Sequence, residues 1–150
     1  MTTEAAPPTD PHVPPMDGRP LPAVDAVSAP FWDGARDGVL RLQRCTTCGA
    51  AQWYPREICA QDGGDVEWFD AAGTGVVHTF TVIRQNHARP FRDQLPYVVA
   101  MVELPEGVRM MSGITHCAPE DVRIGMAVAV WFAPTGSDDD LHLPFWRPAA

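Results

Sequence analysis

Cys45-Thr46-Thr47-Cys48-Gly49 and, ten residues after Cys48, Cys59-Ala60-Gln61-Asp62-Gly63-Gly64 are the stretch on which the fold turns. Two Cys-x-x-Cys turns, each followed by glycine, make the tetrahedral thiolate cage of a zinc ribbon. A gap of two residues lets both sulfurs of one tight turn face a single ion. The glycine that follows permits the positive φ such a turn needs. Here the second turn reads Cys-x-x-Asp. A carboxylate oxygen also binds Zn²⁺, so Cys45, Cys48, Cys59 and Asp62 form a candidate structural site of three sulfurs and one oxygen. A ribbon that has lost its metal is the competing reading. Electron transfer through iron would call for four sulfurs. A catalytic zinc would need a general base, and only Glu57 lies beside the cluster in sequence.

Outward from the cysteines, Ser28-Ala29-Pro30 reads as the start of a short helix, with serine as cap and proline in the first turn. Phe31, Trp32 and Ala35 give it an apolar face, and Gly38 ends it. Val39, Leu40 and Leu42 lead into the first knuckle as a strand. Gln52-Trp53-Tyr54-Pro55 and Val66-Glu67-Trp68-Phe69 read as the ribbon's other strands. So small a unit has little core of its own and needs metal or a neighbouring domain. From Gly73 onward the pattern is strand after strand: 75–83, 97–104, 109–114, 126–132 and 141–145, with one helical turn at 119–122. Five short strands with a helical turn before the fourth predict a small Greek-key barrel of the OB type. The fold class expected is therefore mainly β: an N-terminal helix, a rubredoxin-like zinc ribbon and a five-stranded OB-fold barrel. The divisions expected are a Pro-rich disordered tail over 1–27, helix and ribbon over 28–69, and barrel with C-terminal tail over 70–150. Seven of the sixteen prolines fall in that tail, which reads as a dispensable extension or as a strap across a partner.

The chain has 150 residues and a net charge of −8, and all eleven basic residues are arginine. The absence of lysine removes Schiff-base chemistry and a P-loop lysine. The acidic balance argues against nucleic acid and anionic membrane as partners. No run approaches a membrane span, no secretory leader is legible, and four cysteines without one suggest metal or free thiols in the cytoplasm. Against this background Arg84-Gln85-Asn86-His87-Ala88-Arg89-Pro90-Phe91-Arg92 stands out. Arg84, His87, Arg89 and Arg92 are candidates to hold the phosphates of a nucleotide-tailed ligand, and a solvated hairpin loop is the plainer reading. His116-Cys117 lacks an orienting Asn or Asp and reads as a free thiol, so no catalytic residue is assigned. His78, alternating with Phe80 and Val82, reads as a core or interface histidine. Phe145-Trp146 reads as an interface anchor, because a small barrel has little room for it.

The order of signatures resembles a known family. It comprises Phe31-Trp32, Leu40-x-Leu42-Gln43-x-Cys45-x-x-Cys48-Gly49, Tyr54-Pro55-Arg56-x-x-Cys59, Gly73-x-Gly75-x-Val77-x-Thr79-Phe80-Thr81-Val82, Pro96-Tyr97-x-Val99-Ala100-x-Val102-Glu103-Leu104, Ile124-Gly125-Met126-x-Val128 and Leu143-Pro144-Phe145. Over about residues 29–148 this is similar to the acyl-CoA-associated zinc-ribbon/OB-fold family, domain of unknown function 35. The resemblance implies a non-catalytic partner of a thiolase-like catalytic subunit in a hetero-oligomer. Thiolases, acyltransferases and the retro-aldol aldolases of steroid side-chain degradation are such partners, with a coenzyme A thioester as the shared ligand. It also maps the four ribbon cysteines onto Cys45, Cys48, Cys59 and Asp62, of which the last departs from the pattern. A single-strand nucleic-acid binder and a free-standing metal- or Cys-dependent enzyme are the rival readings.

Overall fold

A computed structural model describes residues 10–150; the part of the tail reading that concerns residues 1–9 lies outside the described residues. Helix α1 spans Ala29–Arg36 with Pro30 in its first turn, and Gly38 at φ 77° ends it. Ser28 occupies the cap position but does not cap through its side chain. Its hydroxyl turns back and donates to Asp25 Oδ1 at 2.7 Å, while the Asp25 N–H donates to Ser28 Oγ at 3.2 Å. A short polar side chain prefers such a local loop partner when one is in reach. Phe31, Trp32 and Ala35 are buried as their spacing predicts.

The ribbon sheet has the order β2-β1-β3, from β1 (Arg41–Cys45), β2 (Ala51–Gln52) and β3 (Val66–Asp70). The strand expected over 52–55 is thus shorter and earlier, since the chain leaves the ladder after Gln52. The apolar side chains of this sheet, Leu42, Trp68 and Phe69 among them, lean on the cluster shared with helix and barrel. Leu42 packs inward, the Arg41 guanidinium reaches Asp70 at 3.2 Å, and the Arg44 guanidinium lies 4.0 Å over the Phe69 ring.

The barrel contains β4 (Thr74–Ile83), β5 (Tyr97–Glu103), β6 (Arg109–Ile114), β7 (Ala127–Pro134) and β8 (His142–Pro148). It closes in the order β4-β5-β6-β8-β7, with β7 returning to β4 and with β6 and β8 parallel where Ile114 meets Trp146. A single helical turn at Pro119–Asp121 precedes β7. This is the expected five-stranded OB barrel. Its inward residues, among them Val77, Val98, Val102, Met110 and Val128, merge with Phe31, Trp32, Leu40 and Leu42 into one apolar cluster. Helix α1 therefore joins ribbon to barrel.

Two expectations are corrected. Trp146 is not a surface anchor: it is 0% exposed at the centre of the cluster. The final strand runs three residues beyond 145, and the barrel cannot close without it, so Trp146 is drawn inside. Phe145 points to the outer face yet is only 6% exposed, because other groups of this chain cover it. His78 is not in the core: a bulge between Val77 and Thr79 turns it outward, where Nδ1 stands 3.7 Å from Glu103 Oε2 and the side chain is free to meet a partner.

Residues 10–27 contain no helix or strand. They do not stand clear of the barrel. The His12 carbonyl accepts from His116 N–H at 3.4 Å, and the Pro15 carbonyl accepts from Gln94 Nε2 at 3.4 Å. The Arg19 guanidinium lies over both the Phe91 and Phe145 rings, at 5.0 and 5.5 Å.

Candidate metal centre

Each knuckle is shaped by its backbone. Gly49 and Gly63 take φ values of 74° and 73°, the region the sequence reading required of a residue closing such a turn. The N–H groups of Thr47 and Cys48 point at Cys45 Sγ, both at 3.4 Å, and the Gln61 N–H points at Cys59 Sγ at 3.3 Å. Buried Gln43 holds the segment between the knuckles. Its amide nitrogen donates to the Arg56 carbonyl at 2.8 Å, and its oxygen accepts from Arg56 N–H and Gln52 Nε2. All three bonds lie inside the ribbon, so Gln43 ties its strands to the segment between the knuckles with polar bonds.

The ligand atoms of Cys45, Cys48, Cys59 and Asp62 all lie within 4.8 Å of one another. Cys48 Sγ and Cys59 Sγ are 3.7 Å apart, and Cys45 Sγ is 3.4 Å from Asp62 Oδ1. A tetrahedron with zinc–sulfur bonds of about 2.3 Å and a zinc–oxygen bond of about 2.0 Å has edges of about 3.8 and 3.5 Å. The donor set therefore fits Zn²⁺ in both chemistry and size. Glycine is required at 64, where a Cβ would meet Thr47 Oγ1 at 2.9 Å, Asp62 Oδ1 at 3.0 Å and Cys45 Sγ at 3.2 Å. Among the described residues no other group of three such side chains converges in this way.

The electrostatics of the cluster divide its members. The Gly64 N–H, at 2.8 Å from Oδ1, and then the cysteine thiols hold the Asp62 carboxyl below the usual carboxylate range. The Cys48 N–H, with Thr47 beside it, lowers the Cys45 thiol. Although the Ala50 N–H pulls Cys48 down, burial and the crowding of Cys45, Cys59 and Asp62 push it up to about 11. Four negative groups cannot share so small a volume without a dication or a retained proton.

The remaining candidates do not converge on this centre. Arg84, His87, Arg89 and Arg92 all lie exposed in the β4–β5 connection. His87 Nε2 is 3.1 Å from Gln85 Nε2, and Arg92 Nε is 3.8 Å from Asp93. The loop is anchored instead by Asn86, whose amide donates to the Tyr97 hydroxyl at 3.0 Å. The His116 ring packs edge-on to Trp131, and its Nδ1 lies 2.9 Å from Thr115 Oγ1. That hydroxyl is buried, accepts from Trp131 Nε1 and donates to the Trp146 carbonyl, so it is structural. Burial, with the charges of Asp121 and Asp10, pushes the Cys117 thiol up, away from nucleophilic character. The sequence reading missed Arg19, whose role depends on distant Phe91, Gln94 and Phe145; only its isolation in a proline-rich run hinted at it.

Comparison with known proteins agrees with this architecture. Residues 32–67 match the family described as ChsH2, rubredoxin-like zinc ribbon domain, and residues 68–133 match ChsH2, C-terminal OB-fold domain. A DUF35 domain-containing scaffold protein of Methanocaldococcus jannaschii is 40% identical over 101 residues, covering 65% of this chain and 70% of that protein. The chain belongs to the DUF35 family. A probable enoyl-CoA hydratase alpha subunit of Thermomonospora curvata is 36% identical to this DUF35 chain over 133 residues, covering 87% of it. The DUF35 chain spans only 40% of that relative's length. A solved structure described as Ltp2-ChsH2(DUF35) aldolase superposes with a TM-score of 0.74 at 34% identity, over 87% of this chain and 100% of that one.

Proposed function

We propose that this DUF35 chain is a non-catalytic accessory subunit of a thiolase-like enzyme complex acting on acyl-CoA. The reaction of the complex is thiolysis, acyl transfer or retro-aldol cleavage, and a steroid side chain is a fitting acyl group. The observation that carries the reading is the match, over 87% of this chain and the whole of the other, to a structure described as Ltp2-ChsH2(DUF35) aldolase. The chemistry agrees. Among the described residues the hydroxyl nearest a histidine is locked in structural bonds, and the free thiol outside the metal centre is raised.

In this reading Zn²⁺ supplies folding free energy and no chemistry. Cys45, Cys48, Cys59 and Asp62 hold it, and the ribbon keeps its shape as a docking element. Arg84, His87, Arg89 and Arg92 stand where an exposed cationic loop could face the phosphates of the CoA arm, a charge-assisted contact suited to arginine. A thiolase-like catalytic subunit is the partner.

The test is reconstitution. Co-expressed with a thiolase-like protein encoded nearby, the chain co-purifies as a hetero-oligomer, and the pair cleaves or condenses acyl-CoA while this chain alone is inert. Full activity of the large subunit alone, with no complex by size-exclusion chromatography at micromolar concentration, would overturn the proposal. Submicromolar binding of single-stranded DNA or RNA at physiological salt would favour the nucleic-acid reading instead; a charge of −8 leaves counterion release little to act on.

A further inference from the structure

The middle of strand β5 is apolar on both sides. Val98, Ala100 and Val102 face the core, and outward Val99 and Met101 lie between Tyr97 and Glu103 at the strand's ends. An antiparallel strand with one solvated face normally alternates apolar with polar residues, so a stretch apolar on both faces is built to be covered on both. Across the outer face, Met101 pairs with Thr79 on one side and Met111 on the other, and Val99 pairs with Thr81 and Gly113. Thr79, Thr81, Val99, Met101 and Met111 line a shallow apolar groove of about 220 Å³, and Met111 is 63% exposed.

Two boundaries of the groove indicate what covers it. At Gly113 it is continuous with a seat that is already filled. A Cβ there would lie 3.1 Å from the Phe145 ring, and Arg19 of the proline-rich segment closes over that ring. The same outer face thus already receives a packed segment, and the groove is its uncovered remainder. Beyond Thr81 and Val99, strand β4 runs through Ile83 into the exposed Arg84–Arg92 loop. The far rim, by contrast, is internally neutral: Glu103 lies 3.7 Å from His78 and 4.0 Å from Arg109. An occupant is therefore asked for apolar contact along the groove and for negative charge at one end only. A second copy of this chain, itself at −8, would bring its charge to the whole surface.

We propose that the groove of Thr79, Thr81, Val99, Met101 and Met111 is the face on which the catalytic subunit docks, with its acyl-CoA entrance against the arginine loop. This rests on the accessory-subunit reading above. Methionines suit such a face, since their unbranched side chains conform to a partner's surface. The apolar floor with a charged rim has the anatomy of an interface core.

The experiment compares Met111→Glu with Ile124→Glu, the latter a 70% exposed apolar residue in the turn before β7 and outside the groove. Both are titrated against the purified catalytic subunit, with thermal melting as the check on folding. Met111→Glu is expected to weaken the complex at least about tenfold with unchanged melting, and Ile124→Glu to leave it within about twofold. Wild-type affinity in Met111→Glu would overturn the docking face while leaving the accessory role intact. Failure of the wild type itself to form a complex would overturn that role, and this proposal with it. Should Met111→Glu melt early, benzoylphenylalanine at position 111 in the otherwise native chain replaces it. Photocrosslinking to the catalytic subunit supports the face, and crosslinking to another copy of this chain overturns it.

Discussion

The ribbon and the barrel meet across one helix, yet opposite forces hold them. In the barrel, five strands close around Val77, Val102, Met110, Val128 and Trp146, and burial of apolar surface supplies the stability. In the ribbon, three short strands share one buried amide, a stacked arginine and four converging ligand atoms. A region held by burial loses stability in increments as its side chains are trimmed. A region held by one ion loses it at once, because a cage with too few ligands is no cage. The first should answer to volume, the second to coordination chemistry.

Removing the metal gives the largest expected effect. Purified protein is expected to carry about one Zn²⁺ per chain, and a structural zinc of this kind contributes on the order of 10 kcal/mol to folding of the unit it holds. Cys48→Ser or prolonged chelation should therefore abolish the ordered amide signals of residues 41–70. The signals of β4 to β8 should persist, since their core does not depend on the knuckles. Elemental analysis and a two-dimensional amide spectrum read both outcomes. Loss of the barrel signals together with the ribbon's would mean that the two regions are one cooperative unit.

Trp146→Ala probes the other side. Truncating a fully buried tryptophan costs about 3–5 kcal/mol, and here it also opens the closing strand. Chemical denaturation should show the barrel's unfolding free energy fall by that amount, with a lower midpoint at unchanged slope, while zinc content stays at wild-type level until the barrel unfolds. A surface anchor would have shown no stability loss.

That residue also shows what was legible in the sequence. The cysteine spacing, the positive-φ glycines and the run of short strands carry local signals, so ribbon, barrel and the convergence of Cys45, Cys48, Cys59 and Asp62 could be read directly. Trp146 could not be placed, because its burial is decided by a parallel pairing with Ile114, thirty-two positions earlier. His78 was misplaced because a bulge breaks the alternation that the reading assumed. Arg19 escaped notice because its ring partners lie far along the chain. What local pattern encodes was readable; what strand closure and long-range docking decide was not.

A smaller effect separates ligand chemistry from packing within the ribbon itself. Asp62→Cys restores a fourth sulfur and should hold zinc at least as tightly as the native chain, since thiolate suits Zn²⁺ at least as well as carboxylate. Asp62→Ala should leave three sulfurs and an open position, and zinc should exchange faster with a competing chelator. The order of retention expected is Cys, then Asp, then Ala, read by a chromogenic competition assay. Equal retention in Asp62→Ala and the native chain would remove Asp62 from the ligand set.

The smallest effect lies at the junction, where neither metal nor core dominates. Asp25 accepts from both the hydroxyl and the N–H of Ser28 at the entrance to α1, and these bonds hold its carboxyl below the usual carboxylate range, the hydroxyl contributing most. A carboxyl whose folded value is depressed stabilises the fold above its unfolded value, about 3.9, and that contribution fades as pH falls through the lower folded value. Melting temperature should therefore decline on acidification below about pH 4 more steeply in the native chain than in Asp25→Asn, whose amide does not titrate. The difference should be small, because Asp25 is exposed and solvent competes for its bonds. It should also be confined to the acid limb, with the two proteins keeping a constant offset from pH 5 to 8. A native-chain profile parallel to that of Asp25→Asn throughout would show that the Ser28–Asp25 bonds are geometry without energetic weight, and that α1 is positioned by Phe31 and Trp32 alone.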